Sequence, residues 1–178
     1  MSLEHAHPTH HPESTSGAID TGQSVRDVID RLIASTDSSA PTILRLTLGG
    51  VMMPHALQKT LGLFGGSGLS ATMQTFTTQL HLPATLAAGA IFLEQGGALA
   101  LVLGLFTRLA ASAMGVVMVG AVLTAHLRNG FFMNWSGAQA GEGFEYHLLV
   151  LAMVAALIIE GGGKLSVDSA LLRSRNAA

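Results

Sequence analysis

One carboxylate, Glu94, stands inside the long apolar run from Ala84 to Phe106. Read as a helix crossing a bilayer, this run puts Glu94 about 15 Å from either edge at ~1.5 Å rise per residue. An ionisable group at that depth costs at least about 2.5 kcal/mol on insertion scales, so it should face other helices and find a partner or carry a proton. A second group lies in LRLTLGGVMMPHALQKTL, where His55 and Lys59 are four residues apart and share one helix face, with Arg45 within about 40° of Lys59 around the axis. Pro54 has no N–H to offer the Gly50 carbonyl, which leaves that oxygen free for a side chain, water or ligand. His126, Asn129, Glu145 and His147 follow at the edges of two later apolar runs. Carboxylate, imidazole and ammonium groups in an apolar setting can exchange protons, bind a small anion or grip the carbonyl oxygens of a quinone.

The composition indicates what must position these residues. Of 178 residues, 49% are apolar and 11% charged, where a soluble domain carries about 25% charged. Residues 1–42 hold six acids and two arginines, and residues 43–178 hold five acids and seven bases. Twelve charges over the second stretch are too few for the shell of a soluble domain. The net charge of −2 and the lack of a basic stripe argue against nucleic acid as a partner. With no cysteine, the chain has no disulfide, thiolate ligand or thiol redox chemistry, so any redox role needs a bound cofactor or a partner protein.

From Thr42 onward, apolar runs alternate with Gly-rich turns, and the fold expected is all-α: a polytopic four-transmembrane-helix bundle. The spans are Ile43 to about Leu61, Ala84 to Phe106, Leu109 to Leu127 and Phe144 to Ile159. The segment FGGSGLSATMQTFTTQLHLP between the first two is too polar to cross and too apolar for an ordinary loop, so it reads as an interfacial or re-entrant piece. Glycines in runs such as AASAMGVVMVGA serve close helix packing in lipid. Residues 1–41 read as a polar, largely disordered tail. It contains a short amphipathic helix near 24–36, with Ser24 as N-cap and an apolar face of Val25, Val28, Ile29, Leu32 and Ile33. Residues 42–172 form the membrane domain and 173–178 a short basic tail. The amino-terminal stretch from Met1 to Ala40 has no basic-then-apolar pattern of a secretory signal. His5, His7, His10 and His11 are of metal-ligand type, but Pro8 and Pro12 interrupt them and no scaffold sets a geometry; no metal site is assigned.

An even number of spans puts both ends on one side. That side holds Arg26, Arg31, Arg45, Arg108, Lys164, Arg173 and Arg175, against Lys59 and Arg128 on the other, so both termini are expected in the cytoplasm. His55, Lys59, His126, Glu145 and His147 then gather in the outer half with Glu94 just beneath them. The expected result is an outward-opening polar pocket, roofed by the Gly-rich segment and by NGFFMNWSGAQAGEG.

In order and spacing, LRLTLGGVMMPHALQKTLGLFGG, LEQGGALALVLGLFTRLAA, HLRNGFF and FEYHLLVLAMVAALIIEGGGKLSVD resemble the DoxX family of small bacterial inner-membrane proteins, over residues 42–172. The shared set includes Arg45, His55, Lys59, Glu94, Gly96, Gly97, Thr107, Arg108, His126, Asn129, Glu145 and Asp168. Ala56 departs from the glycine usual after the motif histidine, and extra residues separate Lys59 from Phe64 and Gly65. The resemblance implies a multi-pass protein of the bacterial plasma membrane with a redox association, through a namesake subunit linked to thiosulfate:quinone oxidoreduction. The function expected is a redox-associated subunit that binds a quinone or similar small molecule and works with a partner redox enzyme. Glu94, His55 and His126 are the candidate catalytic residues, and Arg45, Lys59, Asn129 and Glu145 the candidate ligand contacts. A small-solute or anion transporter and a non-catalytic membrane scaffold are the rival readings. Self-association and catalysis by this chain itself are left open.

Overall fold

The computed structural model describes residues 21–177 and is helical throughout, with no strand among those residues. The histidines at 5, 7, 10 and 11 lie outside the described residues. The helices are α1 (Thr21–Ile33), α2 (Ala40–Leu61), α3 (Gly68–Thr78), α4 (Ala84–Leu103), α5 (Thr107–Ala121), α6 (Glu145–Glu160) and α7 (Val167–Asn176). α5 runs on through a π turn (Val122–His126) and a 3-10 turn (Leu127–Asn129). α1 begins three residues before Ser24, so that serine lies inside the helix. The expected boundary at residue 172 falls within α7, which the alternation of Ser, Asp and Arg had hidden.

Local chemistry sets the helix ends. α2 starts with Pro41 in its first turn, where a missing N–H costs nothing, and stops at Gly62 in the left-handed region (φ 69°). Pro54 interrupts one hydrogen bond without ending the helix. α4 stops at Gly104 (φ 67°), and Phe106, also left-handed (φ 45°), leads straight into α5. Asp168 holds that turn: its Oδ1 accepts from the Phe106 N–H at 2.7 Å and its Oδ2 from the Thr107 N–H at 2.8 Å. A buried carboxylate here satisfies the free donors at the start of α5 and complements the positive end of its dipole. Ser166 caps α7 through its hydroxyl, which accepts from the Ser169 N–H.

α2 packs on α4, α4 on α5, α5 on α6 and α6 on α2, while α3 lies against α2 and α4. The shared core joins Leu48 and Met52 to Ala98 and Leu101, to Met114 and Met118, and to Val150, Val154 and Leu157. Small residues permit the close approaches: a Cβ on Gly49 would stand 2.8 Å from Val102 Cγ2 and 2.9 Å from the Ala98 carbonyl, whereas one on Gly50 would meet nothing within 4 Å. Gly49→Ala is therefore expected to destabilise by roughly 1–3 kcal/mol through overpacking, and Gly50→Ala to leave stability within about 0.5 kcal/mol. Thermal unfolding of the two variants in detergent, side by side, checks this; equal midpoints would contradict the helix contact.

Two helices, α4 and the continuous stretch Thr107–Asn129, are long and apolar enough to cross a membrane. α2 has the length at 22 residues but carries Arg45, His55 and Lys59, and α6 has 16 residues. α1 docks through the buried Ile33 beside α5 and α7. Arg108 extends this link: its Nε donates to the Ala34 carbonyl at 3.0 Å and its Nη2 to the Ile159 carbonyl at 2.9 Å.

Candidate functional site

The helices form two chemically distinct ends. At the first, packing is tight. The Arg45 guanidinium is buried and gives every donor group to backbone: Nε to the Gly162 carbonyl (2.8 Å), Nη1 to Leu101 (3.1 Å) and Val102 (2.7 Å), and Nη2 to Leu165 (2.5 Å). Leu101 and Val102 supply the last carbonyls of α4, which have no partner within the helix and lie at its negative end, so a planar cation suits them.

At the other end the helices part around a cavity of about 640 Å³. Its walls are mostly aliphatic, from the first half of α4, the last half of α5, and Leu80 and Leu82 in the segment after α3. The polar groups come from four helices, α2, α4, α5 with its π turn, and α6. Lys59 of α2 donates through Nζ to both carboxylate oxygens of Glu94, at 2.7 and 2.5 Å. Glu94 is only 2% exposed, so the expected partner for the mid-helix acid is Lys59, reached across the α2–α4 contact. His55, one turn before Lys59, also lines the space. On the opposite wall the rings of His126 and His147 stand 4.2 Å apart, centroid to centroid, and Tyr146 meets His147 edge to face.

The π turn at the end of α5 presents His126; such bulges re-aim side chains and recur at functional sites. His126 Nδ1 lies 2.9 Å from the Glu142 carbonyl oxygen. A carbonyl can only accept, so Nδ1 carries hydrogen and Nε2 is left, in the neutral ring, with a lone pair. His147 is buried and its Nδ1 has no hydrogen-bond partner. Among the described residues, no three His, Asp or Glu side chains come together as a metal site.

Four of the seven residues proposed from sequence, Glu94, Lys59, His55 and His126, thus share the cavity. The other three do not line it. Arg45 sits at the closed end. Asn129 donates to the Glu142 carbonyl at 2.9 Å, bracing the loop that also receives His126. Glu145 turns toward the same loop, its Oε1 accepting from the Met133 N–H (3.1 Å) and from Trp135 Nε1 (3.2 Å). Tyr146 and His147 are the cavity residues that the sequence reading left out of its set. For His147 a signal exists, since 147, 150, 154 and 157 form the buried stripe of α6.

The DoxX family model matches residues 40–127, from the first turn of α2 to the turn bearing His126. The chain belongs to the DoxX family. No curated protein and no solved structure matches it. The family resemblance read from the sequence therefore holds, and with two membrane-length helices it makes this a membrane protein. The matched DoxX segment contains Lys59, Glu94, His55 and His126; α6, which closes the cavity with Tyr146 and His147, follows beyond it.

Proposed function

We propose that this DoxX-family protein crosses the bacterial inner membrane four times, through α2, α4, α5 and α6, with both ends cytoplasmic, and binds a quinone or similar small redox molecule in its cavity. The observation that carries the reading is the composition of that cavity: a mostly aliphatic space of about 640 Å³ whose polar groups are the Lys59–Glu94 pair, the facing histidines and Tyr146. A site with apolar walls and a few convergent polar groups suits a ligand with an apolar body and carbonyl or hydroxyl oxygens. An anion is less well served, because the Lys59 charge is already neutralised by Glu94. Contact between α1 and α7, including Asp30 with Arg175 at 3.2 Å, supports placing both ends on one side, where the basic residues are concentrated.

In this reading the chain supplies no electrons. A partner protein that holds the redox centre reduces the quinone by two electrons, and two protons must follow for the quinol to form. Glu94 and Lys59 carry protons toward the head group, while His55 donates to one of its oxygens and Nε2 of His126, with its lone pair, accepts from the hydroxyl that forms on the quinol. Native mass spectrometry of gently solubilised protein tests this. Wild type should retain a quinone and Glu94→Gln should lose it by an order of magnitude or more. A wild-type preparation without quinone, or one in which the variant retains it fully, overturns the reading.

A further inference from the structure

α4 and α5 are joined by the tight turn at Gly104 and Phe106 and run as an antiparallel hairpin, yet they touch along only part of their length. Near the turn they are in contact, since a Cβ on Gly97 would meet Met114 Cε at 3.5 Å and the Ala110 carbonyl at 3.6 Å. Farther from it, Gly89 of α4 and Gly120 of α5 both line the cavity, and a Cβ on either would meet nothing within 4 Å. The two helices neighbour each other around the core, so a gap between them leads outward through the side of the molecule. Its rims are aliphatic and exposed although they also line the cavity: Leu86 is 61% exposed, Leu93 47% and Val116 69%. Leu86, Gly89, Ala90 and Leu93 recur at helical spacing on α4, as do Val116, Gly120 and Thr124 on α5, so each helix gives a continuous strip to the gap.

From this geometry we infer that the cavity opens sideways into the hydrocarbon, between the first half of α4 and the last half of α5. Its ligand is accordingly an amphiphile whose head reaches the Lys59–Glu94 pair and whose apolar tail lies in the cleft over Gly89 and Gly120. Water cannot satisfy a slot edged by leucine and valine, whereas an alkyl or prenyl chain fills it without burying a polar group. The two glycines keep the slot wide. This inference deepens the quinone reading by naming a tailed, lipid-soluble ligand, and it rests on placement of these helices in the bilayer.

The natural absence of cysteine makes the test direct. Gly89→Cys and Gly120→Cys, each carrying a nitroxide in proteoliposomes, are compared with Phe92→Cys on the outer face of α4 and Gln139→Cys on the exposed loop. Labels at 89 and 120 should collide with molecular oxygen several-fold more often than with a water-soluble nickel chelate, matching the label at 92. Collision ratios matching the label at 139 overturn the inference. A decyl-chain benzoquinone is then expected to immobilise a label at Val116→Cys, on the rim with both glycines left in place, while the same ring without the chain leaves its spectrum unchanged. Equal immobilisation by both compounds overturns the tail assignment. Oxygen-accessible labels that neither quinone affects retain the sideways opening and overturn the quinone reading alone.

Discussion

Arg45→Met is expected to destabilise the protein by roughly 3–5 kcal/mol, the range seen when one side of a buried, charge-assisted network is removed. The Val102 and Leu165 carbonyls would lose their donor, while Leu101 would keep only the Gly104 N–H at 3.2 Å and Gly162 only the Thr42 hydroxyl at 3.5 Å. The effect should extend to the α4–α5 turn, because Gly104 packs so closely that a Cβ there would stand 2.9 Å from Arg45 Cζ. Arg45→Lys should recover only a minor part, since an ammonium cannot reproduce the planar fork that reaches two helix-terminal carbonyls and a loop at once. Chemical denaturation or thermal unfolding in detergent reads the outcome. A midpoint for Arg45→Met within a few degrees of wild type would remove Arg45 from this role.

The second large effect concerns Lys59 and Glu94, where fold and ligand can be separated. Lys59→Met alone leaves a 2% exposed carboxylate facing a thioether and should cost roughly 2–4 kcal/mol, below the figure for a fully buried pair because the lysine side chain is 32% exposed. Adding Glu94→Leu removes the uncompensated charge and should restore most of that stability, because buried ion pairs replaced by apolar residues of similar volume are often neutral. Ligand retention should not return: the double variant is expected to be as stable as wild type within about 1 kcal/mol and to hold at least an order of magnitude less quinone. If the pair served only to fix helix register, the double variant would recover both properties. Unfolding midpoints and ligand content measured on the same preparations distinguish the cases.

Arg45 also shows where sequence reasoning reached its limit. Its angular position beside Lys59 suggested a shared site, and angle around a helix does say which face a residue occupies. Depth is set separately by the rise, and fourteen residues separate the two by about 21 Å along α2, enough to put them at opposite ends. Glu94 was legible because a lone acid in an apolar run admits few placements, and its pairing with Lys59 needed only the α2–α4 contact. The four long helices α2, α4, α5 and α6 were legible from the apolar runs, with ends within a few residues of those in the structure, whereas the polar α7 was not. His147 was overshadowed by Glu145, two residues earlier and about 200° around the helix, which turns to the 130–144 loop instead. The cavity itself was harder to foresee. Its width depends on where α4 and α5 stop touching, and glycine patterns alone do not say which glycines bring helices together, as Gly97 does, and which face open space, as Gly89 and Gly120 do.

The long reach of the Arg45 and Asp168 contacts has a consequence for biosynthesis. The α4–α5 hairpin is local in sequence and can form as soon as it leaves the ribosome, but α2 cannot settle then. Its guanidinium waits for carbonyls 117 and 120 residues downstream, and the left-handed turn at Phe106 waits for a carboxylate 62 residues away. Such distant pairings form late, because the intervening chain must be closed before they contribute. The nascent protein therefore passes through an interval in which an unsatisfied cation and an unsupported turn are both present, and synthesis of residues 162–168 ends it. Completion of the Gly162–Asp168 segment is the step that marks the molecule as finished.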